Sequence, residues 1–288
     1  MNVIPQLILN SIIAGSIYSL IAISFSLIYN VTKFFNLAHG VLAIIGGYTV
    51  FYFAQILNWN IYIAITFGIV FAGFIGLILD KIIYLPLRRR KASNMILLVA
   101  SLGIMTALQA LLSILFTNEF RTLSRNINEQ KIFQLLNGSL TQTQVIIIFV
   151  AILITIFIVL LLFKTQFGKA IRAISDDDEV AKIVGINTDK IISYVFFLGS
   201  AIAGIAGILM GFDIGIEPTM GLNLLLKGIV AVIIGGIGNV YGSVLGAFVL
   251  GFAENFSMWK IAGEWKDAVA FILLIIFLLF KPRGIMNK

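Results

Sequence analysis

The sequence predicts an all-α polytopic membrane protein with about eight transmembrane helices, roughly seven to nine depending on one ambiguous stretch. The 288-residue chain is 60% apolar and only 11% charged. Its mean hydropathy is +1.07, which fits a polytopic inner-membrane protein and little else. The charges are also gathered between apolar runs of spanning length. The clearest run is Val145 to Phe163, in which Thr155 is the only polar side chain; at helical rise it covers about 28 Å, the thickness of the hydrocarbon layer.

Apolar runs fall near 7–29, 38–57, 61–85, 94–117, 144–163, 191–212, 224–237, 241–256 and 267–280, which predicts one transmembrane domain over 1–288. Leu7 to Tyr29 lacks a basic leader and an A-x-A site, so it reads as a retained span. The +7 formal charge reads as a topology signal and not as a nucleic-acid surface. Arg88, Arg89, Arg90 and Lys91 form one block after a span, and Lys281 and Arg283 follow the last one. Placing that block in the cytoplasm puts the Lys33 turn, the 164–190 loop and the C-terminus inside. The N-terminus, the 118–143 loop and the Asp213–Asn223 loop then lie outside. The stretch 224–256 starts near Lys227 and is interrupted by Gly235, Gly236 and Gly238, so it reads either as two spans or as half-helices that enter and turn back.

The 164–190 loop holds five basic and five acidic residues, too polar for hydrocarbon. It predicts a short helix, with Ser175 as N-cap, Asp178 as the capping-box partner, acidic residues through Glu179 in the first turn, and Gly185 as the stop. Val180, Ala181, Ile183 and Val184 give that helix an apolar side.

Small residues recur every fourth position at Gly199, Ala203, Gly207 and Gly211, and again at Gly238, Gly242 and Gly246. That spacing lets helix backbones approach closely in lipid, and the expectation is packing within the monomer before a subunit interface. Gly40 to Gly47 also echoes Gly228 to Gly236 with one insertion and the opposite predicted direction, the sign of an inverted repeat.

The chemistry that is missing narrows the function. There is no cysteine, so there is no disulfide, thiolate nucleophile or Cys-held metal. The one histidine, His39, rules out H-E-x-x-H, and in the Asn36-Leu-Ala-His39-Gly40 run it reads as structural, with Asn36 capping the helix. No phosphate-binding loop occurs, because Gly168-Lys169 is followed by Ala170 and lacks the first glycine. Paired catalytic groups at membrane depth, which an intramembrane enzyme would need, are also absent. An ion-coupled carrier would keep carboxylates at mid-membrane depth, whereas Asp80, Asp213, Glu217 and Glu254 map near span ends. The deep polar groups are Ser24, Ser26, Ser101, Thr106, Gln109 and Ser200. Asn36, His39, Ser101 and Gln109 are the candidates for a translocation path, and the energy source is expected outside the chain, delivered through 164–190.

The blocks NLAHGVLAIIGGY, GKAIRAISDDDEVAKIVGINTDKI, FFLGSAIAGIAGIL, AVIIGGIGNVYGSVLGAFVLG and KPRGIM together resemble the permeases of the high-affinity branched-chain amino acid ABC importers, the LivH-like group, from about residue 5 to 284. The resemblance implies a non-catalytic subunit with no cofactor of its own, ATP–Mg being bound by two ATP-binding cassette partners. It also implies a homologous second permease, a periplasmic substrate-binding protein, and an element that inserts into a groove on the ATPase. By position that element is Arg172, Ala173, Asp177, Glu179, Ala181, Gly185, Ile186 and Asn187. Asp176-Asp177-Asp178 is more acidic than the usual pattern of the group. Related members serve urea or short amides, so the same architecture importing those solutes is the alternative, and a stand-alone small-solute channel is the alternative of another class.

Overall fold

Side-chain caps set the ends of the helices in the computed structural model, which describes residues 3–124, 131–135, 138–260 and 262–286. Thr141 and Gln144 form a reciprocal capping box at the start of α5 (Gln142–Lys164), with bonds of 3.1 and 3.3 Å. Ser93 caps α4 (Asn94–Phe116), Asn187 caps α8 (Thr188–Asp213) and Asn239 caps α10 (Val240–Ser257). The remaining long helices are α1 (Ile4–Thr32), α2 (His39–Ile56) and α3 (Ile61–Arg89), with α9 (Met220–Gly235) and α11 (Lys266–Phe280) near the C-terminus. Among the described residues, six helices are long and apolar enough to cross a membrane, and α9 with α10 forms one further candidate pair bent by 115°. The chain is a multi-pass membrane protein. The 118–143 loop contains a two-stranded hairpin, Ile132–Leu135 with Gly138–Thr141; residues 125–130 and 136–137 of that loop lie outside the described residues.

α1 is buried on nearly every side and is the axis of the bundle, packing against α5, α8, α9 and α10. Its apolar residues therefore need no stripe, as expected of a helix surrounded by protein. α4, α5 and α11 sit at the periphery and leave large apolar side chains such as Ile114, Phe149 and Leu279 uncovered, suited to lipid.

Long-range contacts sort the loops into two ends. At the arginine end, Arg89 pairs with Asp189 at 3.0 Å, Lys33 reaches Ser175, and Asn94 bonds the Lys33 carbonyl. At the far end, Gln6 meets Ser139, Gln144 meets Asp213, and Arg121 forms a bridge with Ile216. This relative sidedness agrees with the parity set by the arginine block. α9 begins at the far end, turns over residues 236–239 beside Asn30 at the arginine end, and α10 returns. Both halves therefore traverse the bundle. The C-terminal stretch seals that turn: Ile285 and Met286 donate their backbone N–H to the carbonyls of Ile234 and Gly235, the last carbonyls of α9.

The small-residue spacing is used inside the chain. A Cβ on Gly207 would lie 1.9 Å from the Ala43 carbonyl oxygen, and one on Gly46 would lie 2.7 Å from the Gly204 Cα, so α2 and α8 cross almost backbone to backbone. Gly199 lies against Ile28, Gly211 against Leu123, and Ala203 is fully buried between neighbouring helices. Gly242 and Gly246 do the same between α10 and α9, facing the carbonyls of Gly235 and Ala231. Gly238 departs from the expectation. It belongs to the turn, with φ of +97°, so the second stripe begins at Gly242 and Gly238 serves backbone conformation instead.

Candidate functional site

The 164–190 loop folds as two helices. Thr165 caps α6 (Gln166–Asp176), which buries Ile171 and Ile174 and points its charges outward. Asp177 then takes an extended conformation and caps α7 (Asp178–Ile183), accepting from the N–H of Glu179 at 2.9 Å and of Val180 at 3.0 Å. The expected cap, Ser175, lies inside the last turn of α6. An ionised carboxylate at the positive end of a helix is a stronger acceptor than a hydroxyl, and Asp177 is the residue that breaks the backbone path. Asp178 pairs with Lys182 one turn on and does not close a capping box. Gly185 ends α7 with φ of +87°, and Ile186 donates back to the Ala181 carbonyl at 3.0 Å.

The predicted coupling residues thus form one connected unit. Arg172 lies 4.9 Å from the centre of the Phe163 ring, Ala173 is half-buried, and Ala181 is buried as the inner anchor of α7. Glu179 is exposed in the first turn, Ile186 is half-buried, and Asn187 caps α8 by accepting from the Lys190 N–H at 3.1 Å. Ser175–Asp178 line a cavity of about 480 Å3 together with Lys33, Arg88 and Arg89. Partial burial lowers the Lys33 ammonium pKa there, against the opposing pull of Asp176.

Behind this unit stands a polar cluster. Asp80 stands near the arginine end of α3, where the sequence puts it, and is fully buried there in a π-helical turn, Asp80–Tyr84. Arg88 approaches it at 2.8 Å, and Ser193 of α8 donates to it at 2.6 Å. A buried carboxylate is tolerated only when paired. Arg88→Ala is therefore expected to lower stability by about 3 kcal/mol, the cost of an orphaned buried charge. Adding Asp80→Asn should recover most of that loss, read as the thermal midpoint of purified protein; equal midpoints for wild type and Arg88→Ala would remove the pair from the stability of the fold.

Next to this pair the chain re-enters the bundle over residues 33–38. Asn36 was expected to cap α2 with its side chain. Instead its Oδ1 accepts from the Tyr84 hydroxyl at 2.9 Å, and its backbone carbonyl, not its side chain, meets the His39 N–H at 3.3 Å. Tyr84 stacks on Phe196 and competes successfully for the amide, since a buried phenol needs a partner. Ser101 braces the same turn, accepting from the Leu37 N–H at 3.0 Å, and His39 Nε2 lies 2.8 Å from the Ser24 hydroxyl. His39 Nδ1 and Asn36 Nδ2 are buried with no hydrogen-bond partner among the described residues. Asn36, His39 and Ser101 are thus brought to one interrupted-helix site. Gln109 is not; it lies two turns further along α4, half-exposed.

A second ionic cluster at the far end had no signal in the sequence. Glu254 of α10, also expected near a span end, is fully buried. It accepts from the Tyr18 hydroxyl at 2.7 Å and lies 3.3 Å from Lys227 and 3.6 Å from Lys266, while Lys227 also pairs with Asp267 at 2.9 Å. The members come from four helices, separated by up to 249 positions along the chain (Asp267 minus Tyr18).

Residues 7–278 match the family model described as the branched-chain amino acid transport system / permease component. The chain is 33% identical over 98% of its length to the high-affinity branched-chain amino acid transport system permease protein LivH of Salmonella typhimurium, covering 95% of that protein. It is 30% identical to BraD, a permease protein of the same kind of system in Pseudomonas aeruginosa, again covering 98% of this chain and 95% of that one. Its architecture is also similar to that of PsaBC from Streptococcus pneumoniae, solved in complex with Fab, with a TM-score of 0.50 at 15% identity over 98% of this chain and 93% of that one. With a membrane bundle, an interrupted-helix core and a folded charged loop at one end, the chain belongs to the family of branched-chain amino acid transport system permease components.

Proposed function

We propose that this chain is the non-catalytic, membrane-spanning subunit of an ABC importer that translocates branched-chain or other hydrophobic amino acids. The observation that supports it best is the full-length match to permease components of such systems, over residues 7–278. A periplasmic binding protein delivers the substrate. Two ATP-binding cassette subunits bind ATP–Mg and drive the cycle through the unit from Arg172 to Asn187, and a second homologous permease completes the pathway. The arginine end faces the cytoplasm, so the C-terminus is inside and the N-terminus outside, as the positive-inside rule requires.

Two measurements test this. In cells carrying the operon as their sole route, labelled L-leucine should accumulate and urea should not; the reverse would transfer the chain to the amide-importing alternative, and uptake without the ATPase genes would make it a channel. Orientation is read with cysteines in a chain that has none. An impermeant maleimide should label Gln134→Cys in intact cells and Lys169→Cys only after permeabilisation, both sites being exposed; the opposite pattern would invert the topology.

A further inference from the structure

We infer that Lys33 is the positioning residue through which the Arg172–Asn187 unit acts on the interrupted helix at 33–38, by pairing with Asp176 when an ATPase subunit seats on α7. This rests on the importer reading above and deepens it by naming the contact between the charged loop and the bundle core. Lys33 and Asp176 line the same cavity at the arginine end. The other charges there are already used. Arg88 is held by Asp80, Arg89 by Asp189 and Lys182 by Asp178, while Asp177 gives its carboxylate to the N–H groups that start α7. Among the described residues that leaves one cation and one anion of the cavity without an ion-pair partner, Lys33 and Asp176. The Lys33 ammonium reaches only the Ser175 hydroxyl, at 3.5 Å. Asp176 acts on it through space, opposing the fall in its pKa that burial causes.

Both residues are mounted where a small displacement is passed on. Asp176 is the last residue of α6, and the extended Asp177 beside it, with φ of −155° and ψ of 114°, is the break between α6 and α7. A push on α7 therefore reaches Asp176 through that joint. On the bundle side, Lys33 ends α1 in the left-handed conformation, with φ of 56°, which is costly for a residue that carries a Cβ. Its N–H donates to the Tyr29 carbonyl at 2.7 Å, and its carbonyl accepts from Asn94 Nδ2 at 3.2 Å. Lys33 thus closes α1, ties it to the start of α4 and opens the turn in which Phe34 packs on Tyr84, Asn36 bonds Tyr84 and Leu37 bonds Ser101. A pull on its side chain is carried along the backbone into those contacts.

The test uses the complete importer complex in lipid nanodiscs and reads the ratio of ATP hydrolysis with leucine-loaded binding protein to hydrolysis without it. Lys33→Glu and Asp176→Lys each set like charges across the cavity, and each is expected to lower that ratio about threefold, the scale of a partly exposed ion pair. The exchange variant carrying both changes should recover most of the loss, and Lys33→Arg, which keeps the charge, should hold the wild-type ratio. The thermal midpoint and the copurified ATPase are measured on every variant. Wild-type ratios in both single variants, or an exchange variant no better than they are, overturn the inference. A lowered midpoint at an unchanged ratio also overturns it, by making Lys33 a structural residue only. A wild-type complex whose hydrolysis does not respond to leucine-loaded binding protein overturns the importer reading, and the inference with it.

Discussion

Gly207→Leu is expected to yield no assembled complex, while Ile205→Leu on the same helix leaves yield and transport within about twofold of wild type. The difference lies in what each side chain meets. The first Cβ alone on residue 207 would sit 1.9 Å from the Ala43 carbonyl oxygen and 2.5 Å from its carbon. Both are backbone atoms of α2, so no rotamer relieves the clash, and α2 would have to move away from α8. That movement would also part Gly46 from Gly204 and pull on the 33–38 turn, with its bonds from Asn36 to Tyr84 and from Leu37 to Ser101. Overpacking a tolerant core typically costs 1–3 kcal/mol, and here the opposing surface is peptide, so the cost falls at or above that range. Ile205 is half-buried and the change to Leu conserves volume. Solubilised yield by size exclusion and substrate-stimulated ATP hydrolysis read the outcome. Equal values for the two variants would show that the α2–α8 crossing is looser than the geometry here.

The spans were legible because a hydrocarbon-crossing helix is a local property: a run of apolar residues with caps at its ends. Val145–Phe163 was read to within a few residues of α5, and the Thr141–Gln144 box that starts it is written in the sequence. The same logic separates 224–237 from 241–256, now α9 and α10 around the Gly236–Asn239 turn. What escaped depends on distant partners. Asp80 and Glu254 sit near charged or polar neighbours in sequence, so they read as span ends, yet Arg88 with Ser193 and Lys227 with Tyr18 allow both to be buried. Asn36 is a sound cap by composition, and only the arrival of Tyr84 from α3 takes its side chain away. In the charged loop the sequence predicts a helix capped by Ser175, and the cap lies two residues further on, at Asp177. The amphipathic α6 before it was hidden, because its buried residues Ile171 and Ile174 are spaced among charges that dominate the composition.

Replacing Ile183, the last residue of α7, and the following Val184 by aspartate is expected to separate the permease from its ATPase while leaving the permease folded. A six-residue helix is about 9 Å long and has no stability of its own. α7 exists because Asp177 caps it, Asp178 pairs with Lys182, Ala181 anchors it from within, and Gly185 turns the chain so that Ile186 can bond back to Ala181. None of those supports involves its outer face. There Val180, Ile183 and Val184 are 53%, 82% and 68% exposed, a patch at the end of the molecule that carries the arginine block. Burying such a side chain in a partner groove contributes about 1.5–3 kcal/mol each, so two aspartates should remove both that gain and the fit. Substrate-stimulated hydrolysis should fall at least about tenfold, and the ATPase should no longer copurify. Gly185→Val tests the same unit by another route. A Cβ there meets open space, so its penalty of about 1–2 kcal/mol lies wholly in the left-handed backbone. It should therefore shift where α7 ends and weaken coupling by a smaller factor than the aspartates do. Glu179→Lys, at an exposed first-turn position, should act more weakly still, since helix-dipole effects there amount to about 0.3–1 kcal/mol. That ranking is specific to docking through the apolar face: an electrostatic contact would put Glu179→Lys first, and full coupling in the double aspartate variant would exclude α7 from the contact with the ATPase.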